Sequence, residues 1–408
     1  MIAPKHDGEG FEDIQETSSQ GDSGQGAPVG DRQAIVRMSR LAVAGCVLAV
    51  LSWLLLPGLI RILTIGHGRE PPFGHQVYQR VTFVVAISAV VFTIAGLAQI
   101  SLSAGRFVGR GFAWTGAALM TFQVLFFLFL PVLARTRCVA FRMTCGTNLS
   151  GIGKAMLTYA NDYEDRLPRA GGRNTVWGST AKWNAPDRRA AFGLKADGSG
   201  GAASISSCFY LLVKYSEVTP KSFICKYDKG VKEFKLSGRR GIRGNFELID
   251  AWDFGPPEES YRHYSYSYHI PFGLYALTTS NEPGFAVAAD RNPWIKSPAG
   301  DAGVFADFRP DAGAKGGTGT AVQAKKGNAV AHERDGQNVL FLDSHVEFAK
   351  RAYCSVEDDN IYTVSRNPAG GDPLGVPPPT DSTCAPANPK DSVLVNDPVP
   401  QPRVRRLR

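Results

Sequence analysis

Three uncharged runs dominate the first third of the chain: residues 41–60 (LAVAGCVLAVLSWLLLPGLI), 81–105 and 111–134. About 20 apolar residues, each rising 1.5 Å, cross the hydrocarbon core of a bilayer, and each run reaches that length. The pattern predicts three transmembrane helices, the first two forming a hairpin within 32–110 (about 41–60 and 81–105). Residues 1–31 are rich in Gly, Asp, Glu, Ser and Gln, with Phe11 as their one aromatic. Such a segment cannot bury enough apolar surface to fold by itself and reads as a disordered tail.

The third run passes into a different pattern. Cys138, Phe141, Cys145, Leu149, Ile152, Met156, Tyr159 and Tyr163 follow one another at steps of three and four, which is one apolar stripe along a helix. Pro168 disfavours helix at the residue before it, so 111–167 is expected to be a membrane helix with an amphipathic extension. Gly146, Gly151 and Gly153 each weaken it by up to about 1 kcal/mol.

From 168 to 366 the chain reads as strands and loops. YSYSY (264–268) alternates aromatic and small residues, the period of a strand, and GFAVAAD (284–290) and NVLFLD (338–343) fit buried strands. Ten of the 26 prolines crowd residues 368–402, so 367–408 is expected to be an extended, irregular tail touching the domain at Cys384 and DSVLVND (391–397). The fold class is α+β, with a long helix packed on a small antiparallel sheet.

Charge adds little. The net charge is +8, but Arg403, Arg405, Arg406 and Arg408 sit together at the end, and no basic face with aromatic platforms points to nucleic acid. Five arginines flank the predicted spans on one side and six on the other, which leaves the topology undecided. Six cysteines follow the third run: Cys138, Cys145, Cys208, Cys225, Cys354 and Cys384. They permit three disulfides in fifteen pairings, or six buried thiols. Neither a CxxC zinc pair nor two histidines at i, i+4 is present.

Candidate chemistry concentrates in HERDGQNVLFLDSHVEF (332–348). One reading is a hairpin, with arms 338–342 and 346–348 and Asp343-Ser344-His345 as the turn. A second has His332, Asp343 and His345 converging on a cation, for which calcium would favour the carboxylate oxygens. A third is metal-dependent hydrolysis. The tyrosines of YSYSY offer a further possibility, an aromatic surface for a glycan or peptide.

Five ordered blocks carry a family resemblance. CGTNLSGIGKAMLTYANDYEDRLP (145–168) resembles a large bacterial family of pseudopilin-like proteins, described as prepilin-type or type II secretion protein G-like with a C-terminal domain of unknown function. The matching positions are Cys145, Asn148, Leu149, Ile152, Gly153, Ala155, Tyr159 and Pro168. SFICKYD (222–228) is similar in Cys225, AADRNPW (288–294) in Asp290, the stretch above in Asn338, Asp343 and His345, and DDNIYT (358–363) in Asp359 and Asn360. Ser344 replaces the family's glycine. Gly116 stands five residues into a Gly111-Phe112 junction, where a processed prepilin has glutamate, so cleavage there is not expected.

The resemblance implies a non-enzymatic, structural or interactive protein of the bacterial envelope, associated with a type II secretion-like assembly. It would be a multi-pass protein of the inner membrane, with residues 1–31 cytoplasmic and the C-terminal domain outside. It would need no cofactor, although related pseudopilins can bind calcium, and its partners would be lipid and other envelope or secretion proteins. A membrane-anchored sensor of glycans or peptides and a metal-dependent hydrolase remain as alternatives.

Overall fold

The computed structural model describes residues 37–65, 73–103, 107–237 and 245–400, without the side chains of 56–65, 73–79, 127–128 and 130–138. The predicted tail at 1–31 and the side chain of Cys138 therefore lie outside the described residues. The chain divides into two compact units, Met1–Leu130 and Pro131–Arg408.

The first unit holds helices α1 (Arg40–Ile65) and α2 (Phe73–Leu102) and the start of α3 (Arg110–Asp162). Small residues let these backbones approach: a Cβ on Gly45 would lie 2.7 Å from the Thr93 backbone, and one on Gly96 2.7 Å from that of Ala42. Some polar side chains inside pair with one another, as Gln123 does with Ser52 at 2.7 Å, while the buried Thr93 hydroxyl has no partner among the described residues. Large apolar side chains such as Leu54, Phe83, Ile94, Trp114 and Phe122 face outward. Gly116 also faces inward, 3.1 Å (from an added Cβ) from the Thr93 hydroxyl. A glutamate there has no room.

The expectation of three transmembrane helices is corrected here. Among the described residues, one helical stretch, Arg80–Leu102, is long and apolar enough to cross a membrane, while Arg40–Leu55 is apolar but shorter.

The second unit is built on an antiparallel sheet of five strands: β1 (Tyr266–His269), β2 (Ala286–Asp290), β3 (Gln337–Phe341), β4 (Val346–Ala349) and β5 (Leu394–Val395). Their spatial order is β4-β3-β2-β1-β5. One face carries Tyr266, Tyr268, Leu340 and Leu342 and packs with Cys145, Leu149, Ile152 and Met156 of α3 and with α4 (Ile205–Tyr215). The other carries Val339, Phe341 and Leu394 and packs with Trp294, Phe308, Ile361 and Tyr362 from loops. The strands between the edges are covered on both faces. Tyr264, Tyr266 and Tyr268 are accordingly at most 2 % exposed, and YSYSY is core rather than a surface for a glycan or peptide.

The glycines of α3 mark where helix and sheet meet most closely. A Cβ on Gly153 would stand 2.5 Å from Leu340 and one on Gly146 3.2 Å from Asn338, whereas Gly151 faces open space. The Pro-rich segment is not a separate tail, because β5 pairs with β1 and residues 391–396 are buried. Asp359 ties this segment in by accepting the backbone N–H groups of Asp372 (3.0 Å) and Ser392 (2.8 Å). Asn360 holds the Pro373 carbonyl at 3.1 Å. Asp397 accepts from the N–H groups of Ile205 and Ser206 at 2.9 and 2.8 Å and so closes the N-terminus of α4, satisfying donors that a helix start leaves open.

Candidate functional site

Four of the sequence blocks meet at one buried point. The stripe of α3 carries Cys145 to the sheet, the SFICKYD loop brings Cys225, the end of β2 brings Asp290, and the turn before β3 brings His332. Their exposures are 1, 1, 0 and 0 %. The sulfurs of Cys145 and Cys225 stand 2.6 Å apart. His332 Nε2 lies 3.7 Å from the Cys225 sulfur, 3.5 Å from Asp290 Oδ2 and 3.4 Å from Asn338 Nδ2. His332 and Glu333 hold φ near +60°, so the chain accepts local strain to turn the imidazole inward.

Hydrogen bonds frame the group. Asn338 donates to Asp290 Oδ2 through its backbone N–H at 2.7 Å and its side chain at 3.2 Å. The Cys225 N–H donates to Ser265 Oγ at 3.0 Å, and Asn148 donates to the Ile224 carbonyl at 3.3 Å. Tyr227 stacks on the His332 ring with centroids 5.4 Å apart. Next to it, Arg291 and Asp228 form a buried ion pair at 2.8 Å. Two buried atoms, Asp290 Oδ1 and His332 Nδ1, have no hydrogen-bond partner among the described residues.

The electrostatics separate two chemistries. Burial alone would depress the His332 pKa, but hydrogen bonds to Asp290 and Cys225 outweigh it and push it up to about 10. Beside the Asp290 carboxylate the charged form of the ring is favoured. The hydrogen bond with Cys145, then burial, drives the Cys225 pKa far above the usual thiol range. Two thiolates bound at 2.3 Å to one tetrahedral zinc would stand about 3.8 Å apart. The observed spacing is much nearer that of two bonded sulfurs. As a group, these side chains can hold α3 against the sheet.

The other predicted site residues lie elsewhere. His332 does not converge with Asp343 and His345: it is buried before β3, while they are partly exposed at the turn after it. There Ser344 adopts φ +68°, and the His345 N–H donates to Asp343 Oδ1 at 3.1 Å. That bond, with the His345 ring close by, holds the Asp343 carboxyl below its ordinary range despite slight burial. Leu149 and Tyr159 are packed in the core, and the Pro168 carbonyl accepts from the Tyr268 hydroxyl at 3.1 Å. Cys145, Cys208, Cys225, Cys354 and Cys384 are all free thiols in this structure.

No protein-family model, curated protein or solved structure matches this chain. Arg291, Asp228 and Asp397 carry structural roles that their local sequence alone does not mark. The nearest to a signal is a charged residue inside an apolar block, as Arg291 is in AVAADRNPW.

Proposed function

We propose that this protein is a membrane-anchored, pseudopilin-like structural component of the bacterial cell envelope, with the unit from Pro131 onward outside the cytoplasm. The observation that carries this reading is the stretch Arg80–Leu102, which is long and apolar enough to cross a membrane and turns Phe83, Val84 and Ile94 outward. The second unit, with Leu149, Ile152 and Met156 of a helix buried on an antiparallel sheet, suits a domain displayed by such an anchor.

The work of such a protein is contact with other envelope or secretion proteins rather than chemistry. The polar cluster at Cys145 is sealed from solvent, and its histidine is engaged by a carboxylate. Its test is fractionation and protease access on intact cells stripped of their outer layer. The protein should stay with membranes through alkaline carbonate, and added protease should digest the region after residue 131. Release by carbonate, or full protection of that region, would overturn the reading.

A further inference from the structure

A cavity of about 520 Å³ opens where α3 ends, lined among others by Tyr163, Glu164, Arg166, Arg169, Arg173 and Arg188. Four guanidinium groups on one small cavity repel one another unless something negative lies between them. Glu164 is taken by Arg166, 2.8 Å away. Among the described residues, Arg169, Arg173 and Arg188 have no ion-pair partner, and Arg169 Nε–H is buried without an acceptor. Burial first, and then Arg166 and Arg188, lower the Arg169 pKa, with Cys208 acting the other way. Asp162 is the remaining acid on the wall, and Asp197, off the wall, feels the charge of Arg173. With both acids counted, the three arginines outside the Glu164 pair still leave an excess of positive charge.

An excess of positive charge calls for an anion. A phosphomonoester carries close to two negative charges at neutral pH, and guanidinium forks fit its oxygens. The cavity falls in the size range of small-molecule sites and is far larger than a bare phosphate ion needs. Its wall also includes Tyr163, which is 37 % exposed and stacked on Tyr159 with centroids 4.1 Å apart. Such a ring offers an apolar edge to an organic group.

We propose that this cavity binds a phosphomonoester of sugar-phosphate size, its oxyanion held by Arg169, Arg173 and Arg188 and its organic part lying along Tyr163. The site is separate from the Cys145 cluster and stands whether or not the protein is a pseudopilin-like component. The test is calorimetric titration of the full-length protein in detergent with glucose 6-phosphate, glucose and inorganic phosphate. Glucose 6-phosphate should bind, glucose should not, and inorganic phosphate should bind more weakly. Arg188→Gln and Arg169→Gln should each weaken the ester at least tenfold while keeping the wild-type melting temperature. Arg188 is exposed, so its variant keeps the test decisive if Arg169→Gln misfolds. No binding of the ester, unchanged affinity in Arg188→Gln, or inorganic phosphate binding as tightly as the ester would each overturn the proposal.

Discussion

Cys145 and Cys225 are 80 residues apart in the chain and 2.6 Å apart at their sulfurs. Joining them would remove two protons and two electrons, which a disulfide-carrying oxidant would accept by being reduced to its dithiol. A link closing so long a loop restricts the unfolded chain and stabilises the fold by roughly 2–4 kcal/mol. Protein purified from envelopes and alkylated in denaturant without reductant should therefore leave both cysteines unlabelled. Peptide mass spectrometry should find them joined, and Cys225→Ala should unfold at lower denaturant by that amount. Full labelling before reduction, or one zinc per chain in the purified protein, would show that the sulfurs are thiols or metal ligands instead.

At the scale of elements, the contact between α3 and β3 depends on Gly153. Alanine there gains about 1 kcal/mol of helix propensity, but its methyl would sit 2.5 Å from Leu340 Cδ1. Leu340 is 1 % exposed and has little room to move, and overpacking of this kind costs about 1–3 kcal/mol. The clash should win, so Gly153→Ala destabilises the protein. On a Leu340→Ala background the same change should stabilise it, by up to about 1 kcal/mol. Chemical denaturation of the four forms measures this coupling. If Gly153→Ala has the same effect in both backgrounds, the close approach of helix and strand is wrong. These strands were legible as short apolar runs, and the structure turns Val339 and Phe341 to one layer and Leu340 and Leu342 to the other. That both layers exist was not legible, because the covering elements come from distant parts of the chain.

Across the whole molecule, buried ionisable groups make stability depend on pH. Burial first, then Asp391, raises the Asp359 pKa to about 8, and burial against its hydrogen bonds raises that of Asp253 to about 7. An acid whose pKa is raised on folding contributes fully below its unfolded value near 4, and the contribution is lost as pH climbs through the folded value. His332, raised to about 10, contributes fully below 6.5 and loses that contribution above it. His269 runs the other way, pushed down to about 4 by burial, but its contribution is complete above 6.5. The melting temperature of the intact protein should therefore fall steadily from pH 6.5 to 9, and Asp359→Asn should flatten part of that slope. A melting temperature that rises over this range would contradict the buried carboxyl groups described here.

The sequence by itself determined whatever depends on neighbours a few residues apart. It settled the 3.6-residue stripe from Cys145 to Tyr159, the strands at 264–268, 284–290 and 338–348, and the turn at Ser344 that a positive φ requires. Those patterns follow from backbone geometry and need no partner. Only the tertiary structure decided which surfaces those elements lose. It put Tyr266 and Tyr268 inside, drew residues 394–395 from a Pro-rich segment into the sheet, and brought Cys145 and Cys225 together out of the six cysteines. Each of these joins residues separated by tens of positions or more, and such meetings are set by the burial of whole faces against one another, which no local period in the chain records.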